Sequence, residues 1–200
     1  MTRMARMPVE ERRQQLVDAA IRVMTRDGVT SATTRAISSE AGLSLSVFHY
    51  CFNSKQDLLE AVIQTIVSHT VTPAKASIEP GASLQATIRG ALGAYWTHVQ
   101  ANPEEHLLTY EVTQYCLREP DFVHVARAQY EHYTAAYVEV FEQMHDLLGV
   151  ESAWPIPVLA NYLASVIDGL TLNWLAQRDG AHAEEVLDAI ADHVAELLRG

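Results

Sequence analysis

The stretch Thr33-Thr34-Arg35-Ala36-Ile37-Ser38-Ser39-Glu40-Ala41-Gly42-Leu43-Ser44-Leu45-Ser46-Val47-Phe48-His49-Tyr50-Cys51-Phe52 reads as two short helical segments joined by a sharp turn. Thr33 is placed to cap the first segment, and Ala36, Ile37 and Ala41 give that segment a compact apolar face. Gly42 supplies the positive φ that an abrupt change of direction requires. Leu43 plugs the angle between the segments. Ser44 caps the second, whose first turn carries small or slender side chains that allow close approach to a groove wall. Val47, Phe48, Cys51 and Phe52 compete for the inward face, with Phe48 and Phe52, four apart, as its core pair. Leu45, Ser46, His49 and Tyr50 are left pointing outward. The same turn also joins helical hairpins that bind nothing, so the flanking sequence has to decide.

Upstream, Leu16, Ala19, Ala20, Val23 and Met24 share one face of a helix from about Pro8 to Asp27, which Gly28 ends as a left-handed C-cap. Downstream, Ser54-Lys55-Gln56-Asp57 resembles a capping box with Asp in place of Glu. It opens a long helix through Leu58, Leu59, Val62, Ile63, Ile66 and Val67 that should end before Pro73 or Pro80. Gly81-Ala82-Ser83, Asn102-Pro103-Glu104-Glu105, Glu119-Pro120-Asp121, Trp154-Pro155 and Asp179-Gly180 then punctuate further helices. The segment from Asp121 to about Leu148 is the longest of them. No run has convincing strand alternation, so the expected fold class is all-α with about nine helices.

The chain has 200 residues, 48% of them hydrophobic, and a mean hydropathy near zero, enough to bury a sizeable core. No stretch approaches the roughly 18 apolar residues of a membrane helix, and the start lacks the apolar run of a secretory signal, so a cytoplasmic protein without membrane association is expected. Cys51 and Cys116 have neither disulfide-framework nor zinc spacing; reduced thiols, no metal and no cofactor follow. The net charge of −11 argues against nucleic acid, but it is unevenly spread. Residues 1–57 carry eight Lys and Arg against six Asp and Glu, and the rest is strongly acidic. That asymmetry suits a chain of which only one end meets phosphates.

Thr33, Arg35, Ile37, Ala41, Gly42, Ser44, Phe48, Phe52, Ser54, Lys55 and Leu58, with the preceding helix and Gly28, carry a resemblance over about residues 9–67 to the DNA-binding head of the TetR family of transcriptional regulators. The resemblance implies a three-helix helix-turn-helix head over residues 1–53 and a helical-bundle ligand-binding and dimerisation domain over 54–200. It implies that Thr33, Arg35, Ser44, Tyr50 and Lys55 touch phosphates, and that Leu45, Ser46 and Val47 reach base edges or thymine methyls. Thr34 and His49 complete the candidate DNA-binding set. Three departures stand out: Leu45 where Lys is common, Ser38 where Ala is usual, and His49-Tyr50 in place of Tyr-His. Losing the Lys lowers non-specific affinity and favours an apolar contact to a thymine methyl. Arg3, Arg6, Arg12 and Arg13 either add phosphate contacts from an N-terminal arm or form a solvated tail.

One recognition helix spans few base pairs, so discrimination needs two heads about 34–36 Å apart on a pseudo-palindromic operator, hence a homodimer. Ile156, Leu159, Leu163, Val166, Ile167, Leu170 and Leu175, with Val186, Leu187, Ile190, Val194, Leu197 and Leu198, make the last two helices apolar beyond the need of a peripheral pair. The resemblance implies an intersubunit four-helix bundle there; the alternative is the ordinary core of a monomer.

Aromatic residues concentrate after the head, and Tyr95, Trp96, Tyr110, Tyr115, Tyr137, Asp168, Asn173 and Trp174 form the candidate ligand-binding set for a small-molecule effector. Asp168-Gly169-Leu170 and Trp174 resemble a betaine-regulator-like C-terminal subgroup. Rings with Glu111 or Asp168 suit a lipophilic cation, and a neutral hydrophobic or fatty-acyl compound fits the rings as well. The expected function is a repressor that leaves its operator when the effector binds. Two rivals remain. Glu142-Gln143-Met144-His145 and Asp121-Phe122-Val123-His124 have the Glu-x-x-His look of di-iron enzymes, but on one helix the 21 residues between them span about 31 Å, too far for a shared centre. No Ser or Cys has a nucleophile's setting. The other rival is a helical ligand- or protein-binding module that does not read DNA.

Overall fold

A computed structural model describes residues 8–79 and 81–198, so the candidate arm residues Arg3 and Arg6, and Pro80, lie outside the described residues. The helices are α1 (Val9–Asp27), α2 (Thr34–Glu40), α3 (Leu45–Cys51), α4 (Lys55–Ala76), α5 (Leu84–Ala101), α6 (Pro103–Arg118), α7 (Val123–Leu148), α8 (Ile156–Gln177) and α9 (Gly180–Leu197), with a 3-10 turn at Pro120–Phe122. The all-α class with nine helices holds, and no strand occurs among the described residues. No described helix is long and apolar enough to cross a membrane.

Packing divides the chain into two compact units, and the division does not follow chain order. One unit comprises the chain up to Thr65 with Leu108–Gln129; the other comprises Ile66–Leu107 with the chain from Tyr130 onward. The boundary expected from the sequence lies between residues 53 and 54, whereas packing cuts through α4, α6 and α7. Leu58, Leu59, Val62 and Ile63 of α4 are fully buried apolar residues, and so are Leu108, Val112, Cys116 and Val125. Burying them is worth about 1.5–3 kcal/mol each, which draws these helical segments into the unit that holds the head.

In that unit α1 buries Leu16, Ala19, Ala20, Val23 and Met24, the stripe read from its periodicity. The last turn closes where the Gly28 N–H donates to the Met24 carbonyl at 2.8 Å. Gly28 has the expected positive φ, +83, but its ψ of 157 lies outside the left-handed helical region. The cause lies 82 positions away: the next amide, Val29 N–H, donates to the Glu111 carboxylate at 2.8 Å. A Cβ on Gly28 would stand 3.1 Å from that same Oε1, so only glycine suits both the φ and the space.

Arg13 ties three elements together. Its Nη1 donates to the Cys51 carbonyl at 2.7 Å, its Nη2 donates to Asp57 at 2.9 Å, and its guanidinium lies 4.2 Å over the Phe52 ring. It is therefore a fastening inside the head rather than part of a solvated tail. Asp57 also accepts from the Asn53 N–H at 3.2 Å, while its own N–H donates to Ser54 Oγ at 3.1 Å. This is the capping box at the start of α4, displaced by one residue on its return side. Burial pushes the Asp57 carboxyl up, but the bonds from Arg13 and Asn53 and the Arg13 charge outweigh it and hold it below the usual carboxylate range.

α4 runs through Pro73 to Ala76, so of the two expected stops the one before Pro80 holds. Pro73 lies in the last turn, where its missing N–H costs one bond and the helix can still close through Ser77 N–H to the Pro73 carbonyl at 3.1 Å. In the second unit α5 packs along α9, with Ile88, Leu92, Trp96 and Val99 in one core with Leu187, Ile190, Ala191 and Val194. Leu159, Leu163 and Ile167 of α8 and Val140, Phe141 and Met144 of α7 complete it. Arg89 pairs with Glu184 and Asp188 at its edge.

Phe48 is 1% exposed and Tyr50 is 67% exposed. Phe48→Ala is expected to cost about 3–5 kcal/mol in urea denaturation, and Tyr50→Ala to stay within about 0.5 kcal/mol of the parent. Equal losses would mean that α3 does not present the face described.

Candidate functional site

α3 has seven residues, too few to persist alone, and tertiary packing holds it. Phe48, Cys51 and Phe52 are buried, and the Phe48 and Phe52 rings lie 5.6 Å apart. Thr33 caps α2 as expected, its Oγ1 accepting from the Ala36 N–H at 3.2 Å. Ser44 holds the cap position of α3 but not the cap bond. Its carbonyl accepts from Val47 and Phe48, and its hydroxyl pairs with the Ser46 hydroxyl at 2.8 Å. Gly42 makes the turn with φ +65.

Thr33, Arg35, Ser44, Ser46, His49 and Tyr50 are exposed; Thr34, Leu45 and Val47 are half-buried. The candidate DNA surface is thus presented to solvent, and α3 carries no Lys or Arg. Of the six described Lys and Arg of the head, Arg13, Arg22, Arg26 and Lys55 are engaged within it. Arg22 and Arg26 both pair with Glu40, at 3.0 and 3.2 Å, and Arg26 also pairs with Asp27 at 2.8 Å. Hydrogen bonds from these arginines lower the Glu40 and Asp27 carboxyls. Arg35 is exposed and makes no ion pair among the described residues.

Lys55, read from the sequence as a phosphate contact, is half-buried. Its Nζ donates to the Val29 carbonyl at 3.3 Å and stands 4.8 Å from the centre of the Tyr115 ring. Burial pushes its ammonium below the ordinary lysine range. Tyr115 in turn packs edge-on to Phe122 at 5.5 Å. Tyr110, Glu111 and Tyr115 all belong to the unit that carries the head, so two candidate ligand residues and one candidate counter-ion lie outside the second unit.

Within the second unit the structure does gather an aromatic cluster. The Tyr95 hydroxyl shares a 2.8 Å hydrogen bond with Thr171, and the Tyr130 hydroxyl donates to Asp168 at 3.4 Å. Burial raises Tyr95, Tyr130 and Tyr137, and the Asp168 charge adds to each; Tyr130 is pushed up to about 12. Asp168 therefore shares one electrostatic neighbourhood with three phenols. His106 lies edge-on to Tyr95 at 5.8 Å, and burial, then the His98 charge, lowers it to about 4. Trp96 and Trp174 meet edge-to-face at 5.4 Å, and Arg178 stands 4.8 Å over Trp174, so the two indoles pack on each other and Trp174 also on a guanidinium. Trp96 is almost fully buried, and its Nε1 has no hydrogen-bond partner among the described residues. Asn173 is exposed on α8 and accepts from Gln177 at 2.8 Å, which takes it out of the cluster. A separate surface cleft lined by Phe141, Glu142, His145, Trp154 and Ile156 contains none of the cluster.

Sequence reading missed Arg13 and Glu111 as fastenings. Neither lies on a periodic face or in a local motif, and their partners are 38 to 82 positions away.

A short helix held at the surface by two others behind a glycine turn is the arrangement of a helix-turn-helix DNA-binding protein. The chain belongs to the TetR family of transcriptional regulators: residues 16–62 match the family described as bacterial regulatory proteins, tetR family, and residues 84–199 match the BetI-type transcriptional repressor, C-terminal. Members of this family are regulators and not enzymes. The chain is similar to the HTH-type nicotine-responsive transcriptional repressor HdnoR of Paenarthrobacter nicotinovorans, 26% identical over 191 residues that cover 94% of this chain and 95% of that protein. It is 24% identical over 199 residues to the HTH-type transcriptional regulator BetI of Serratia proteamaculans (strain 568), covering 94% and 93%. Among solved structures it is similar to the multidrug binding protein EbrR complexed with imidazole, with a TM-score of 0.60, 27% identity and coverage of 88% and 92%.

Lys55→Ala removes both the bond to Val29 and the contact with Tyr115, so a loss of about 1–2 kcal/mol is expected in urea denaturation. Unchanged stability with weakened DNA binding would return Lys55 to a phosphate.

Proposed function

We propose that the chain is a ligand-responsive repressor that binds a palindromic operator as a homodimer and is released by an organic cation with an apolar body. The exposed, uncharged face of α3 carries the DNA half of this reading. Ser44, Leu45, Ser46, Val47, His49 and Tyr50 are small, slender or neutral, which suits base edges and thymine methyls. Arg35, with Thr33, Thr34 and Ser44, serves the phosphates. Lys55 acts by holding the start of α4.

The homodimer uses α8 and α9, and the outward stripe of α8 is its centre. Most of the apolar residues on the two helices fill the chain's own core, while Val158 and Leu172 are about half exposed. Between them Asn161, Ser165 and Gly169 are exposed at helical spacing, small enough for two copies of α8 to approach closely. Asn173 belongs to this stripe.

The effector reading rests on Asp168 beside the phenols of Tyr95, Tyr130 and Tyr137. A cation gains there from the carboxylate and from ring faces, whereas a neutral compound gains only apolar burial. The nicotine response in the name of one relative and the multidrug binding in the name of another fit such a guest. To act as an inducer the effector must bind the operator-incompetent state more tightly. The helices α4, α6 and α7 each run continuously from one unit into the other and provide the covalent route for that bias.

Arg35→Ala is expected to reduce the salt dependence of operator binding by about 2 charges per dimer, one per head, and Tyr50→Ala to weaken binding more than tenfold without loss of fold. Operator binding that ignores both changes would refute the α3 assignment. Tetraphenylphosphonium is expected to release the operator more effectively than neutral triphenylphosphine oxide, and Asp168→Asn to remove that preference. Equal action of the two probes on the parent protein would refute the cationic effector.

A further inference from the structure

The second unit holds a group that neither the DNA reading nor the effector reading uses. His69 of α4, His98 of α5 and Glu105 of α6 bring one donor atom each to within 4.8 Å of one another. His69 Nδ1 is 3.2 Å and His98 Nε2 is 3.3 Å from the same carboxylate oxygen, Glu105 Oε2. We propose that these three side chains form a binding site for a divalent transition metal ion of the zinc class, fastening α4 to α5 and α6.

Geometry, donor chemistry and charge agree. Zinc bonds of about 2.0–2.2 Å to nitrogen and oxygen set neighbouring donors of a tetrahedron about 3.3 Å apart, which the two nitrogen–oxygen separations already match. Only the two imidazole nitrogens have to draw together, a movement within reach of small side-chain rotations. Two imidazoles and one carboxylate are borderline donors, suited to zinc and its neighbours rather than to magnesium or calcium. Glu105 is only 21% exposed at its side chain, and its ion-pair partners among the described residues are these two histidines, with no Lys or Arg. A divalent ion among the three donors would add positive charge directly against this carboxylate.

The surroundings hold the donors in place. The His98 ring packs edge-on to His106 at 5.4 Å, and Asn102 Nδ2 lies 3.3 Å from His98 Nδ1. The same Asn102 Nδ2 also donates to the His98 carbonyl at 3.2 Å, so Asn102 is fastened to the His98 backbone beside the ring. His69 is 42% exposed at its side chain, leaving an approach for the ion and room for water as a further ligand. Pro73, four residues on, has no N–H for the His69 carbonyl, so the backbone of α4 is less firmly tied at this point.

The test is a titration of the tag-free, metal-stripped, full-length protein with Co²⁺. One equivalent per chain is expected to give visible ligand-field absorption that Zn²⁺ then abolishes, with a rise in Tm on zinc addition. His69→Ala and the isosteric Glu105→Gln are each expected to weaken Co²⁺ binding at least tenfold with unchanged helical circular dichroism. His124→Ala, which alters the separate His124 and Glu60 pair, is expected to bind as the parent does. Absence of stoichiometric Co²⁺ uptake would overturn the site and leave a hydrogen-bonded triad. Uptake that Glu105→Gln does not weaken would overturn it equally, by putting the ion elsewhere.

Discussion

The Arg13 guanidinium is the contact on which the head depends. It reaches from α1 to the last carbonyl of α3 and to Asp57 in the first turn of α4, and it covers the Phe52 ring between them. A seven-residue helix cannot satisfy its terminal carbonyls or repay its own nucleation. Arg13 supplies the donor at that terminus, and Phe48, Cys51 and Phe52 supply the buried face. Folding is therefore carried by the inward side of α3, which leaves the outward side without structural duties. Side chains such as Ser46, His49 and Tyr50 can then be chosen for what they touch outside the protein.

The charges follow the same division. Arg13 serves packing, Arg22 and Arg26 serve the join to Glu40, and Lys55 supports Val29 and Tyr115. Four of the six described Lys and Arg of the head are thus tied up within it, which leaves less positive charge for non-specific attraction to DNA. Under the proposed function, discrimination then rests on fit at α3 and on the pairing of two heads. The acidic remainder of the chain, by like-charge repulsion from phosphate, favours approach to DNA by the head alone.

Local signals were legible from sequence. The face of α1, the Thr33 cap, the Gly42 turn and the inward Phe48 and Phe52 depend on residues within one or two helical turns, where propensity and periodicity act directly. Long-range contacts were not legible. Gly28 announces a positive φ, but its extended ψ is set by Glu111, which no nearby residue reveals. Arg13 looked like part of a basic arm because sequence alone does not distinguish a solvated guanidinium from one lying over a buried ring. The aromatic set was readable as a class and not as a group. Periodicity says which helix face Tyr115 and Asn173 occupy but not what meets that face, and the first joins the head's unit while the second faces outward on α8. The triad of His69, His98 and Glu105 escaped for the same reason, since each donor comes from a different helix.

The central claim is that α3 reads duplex DNA from a paired scaffold, and selection of bound sequences from a random duplex library measures it most directly. The expected result is an enriched inverted repeat with half-site centres about one helical turn, roughly 34–36 Å, apart, lost when Tyr50 is replaced by Ala. Enrichment of no sequence, or of a single unrepeated site that survives the Tyr50 change, would contradict it.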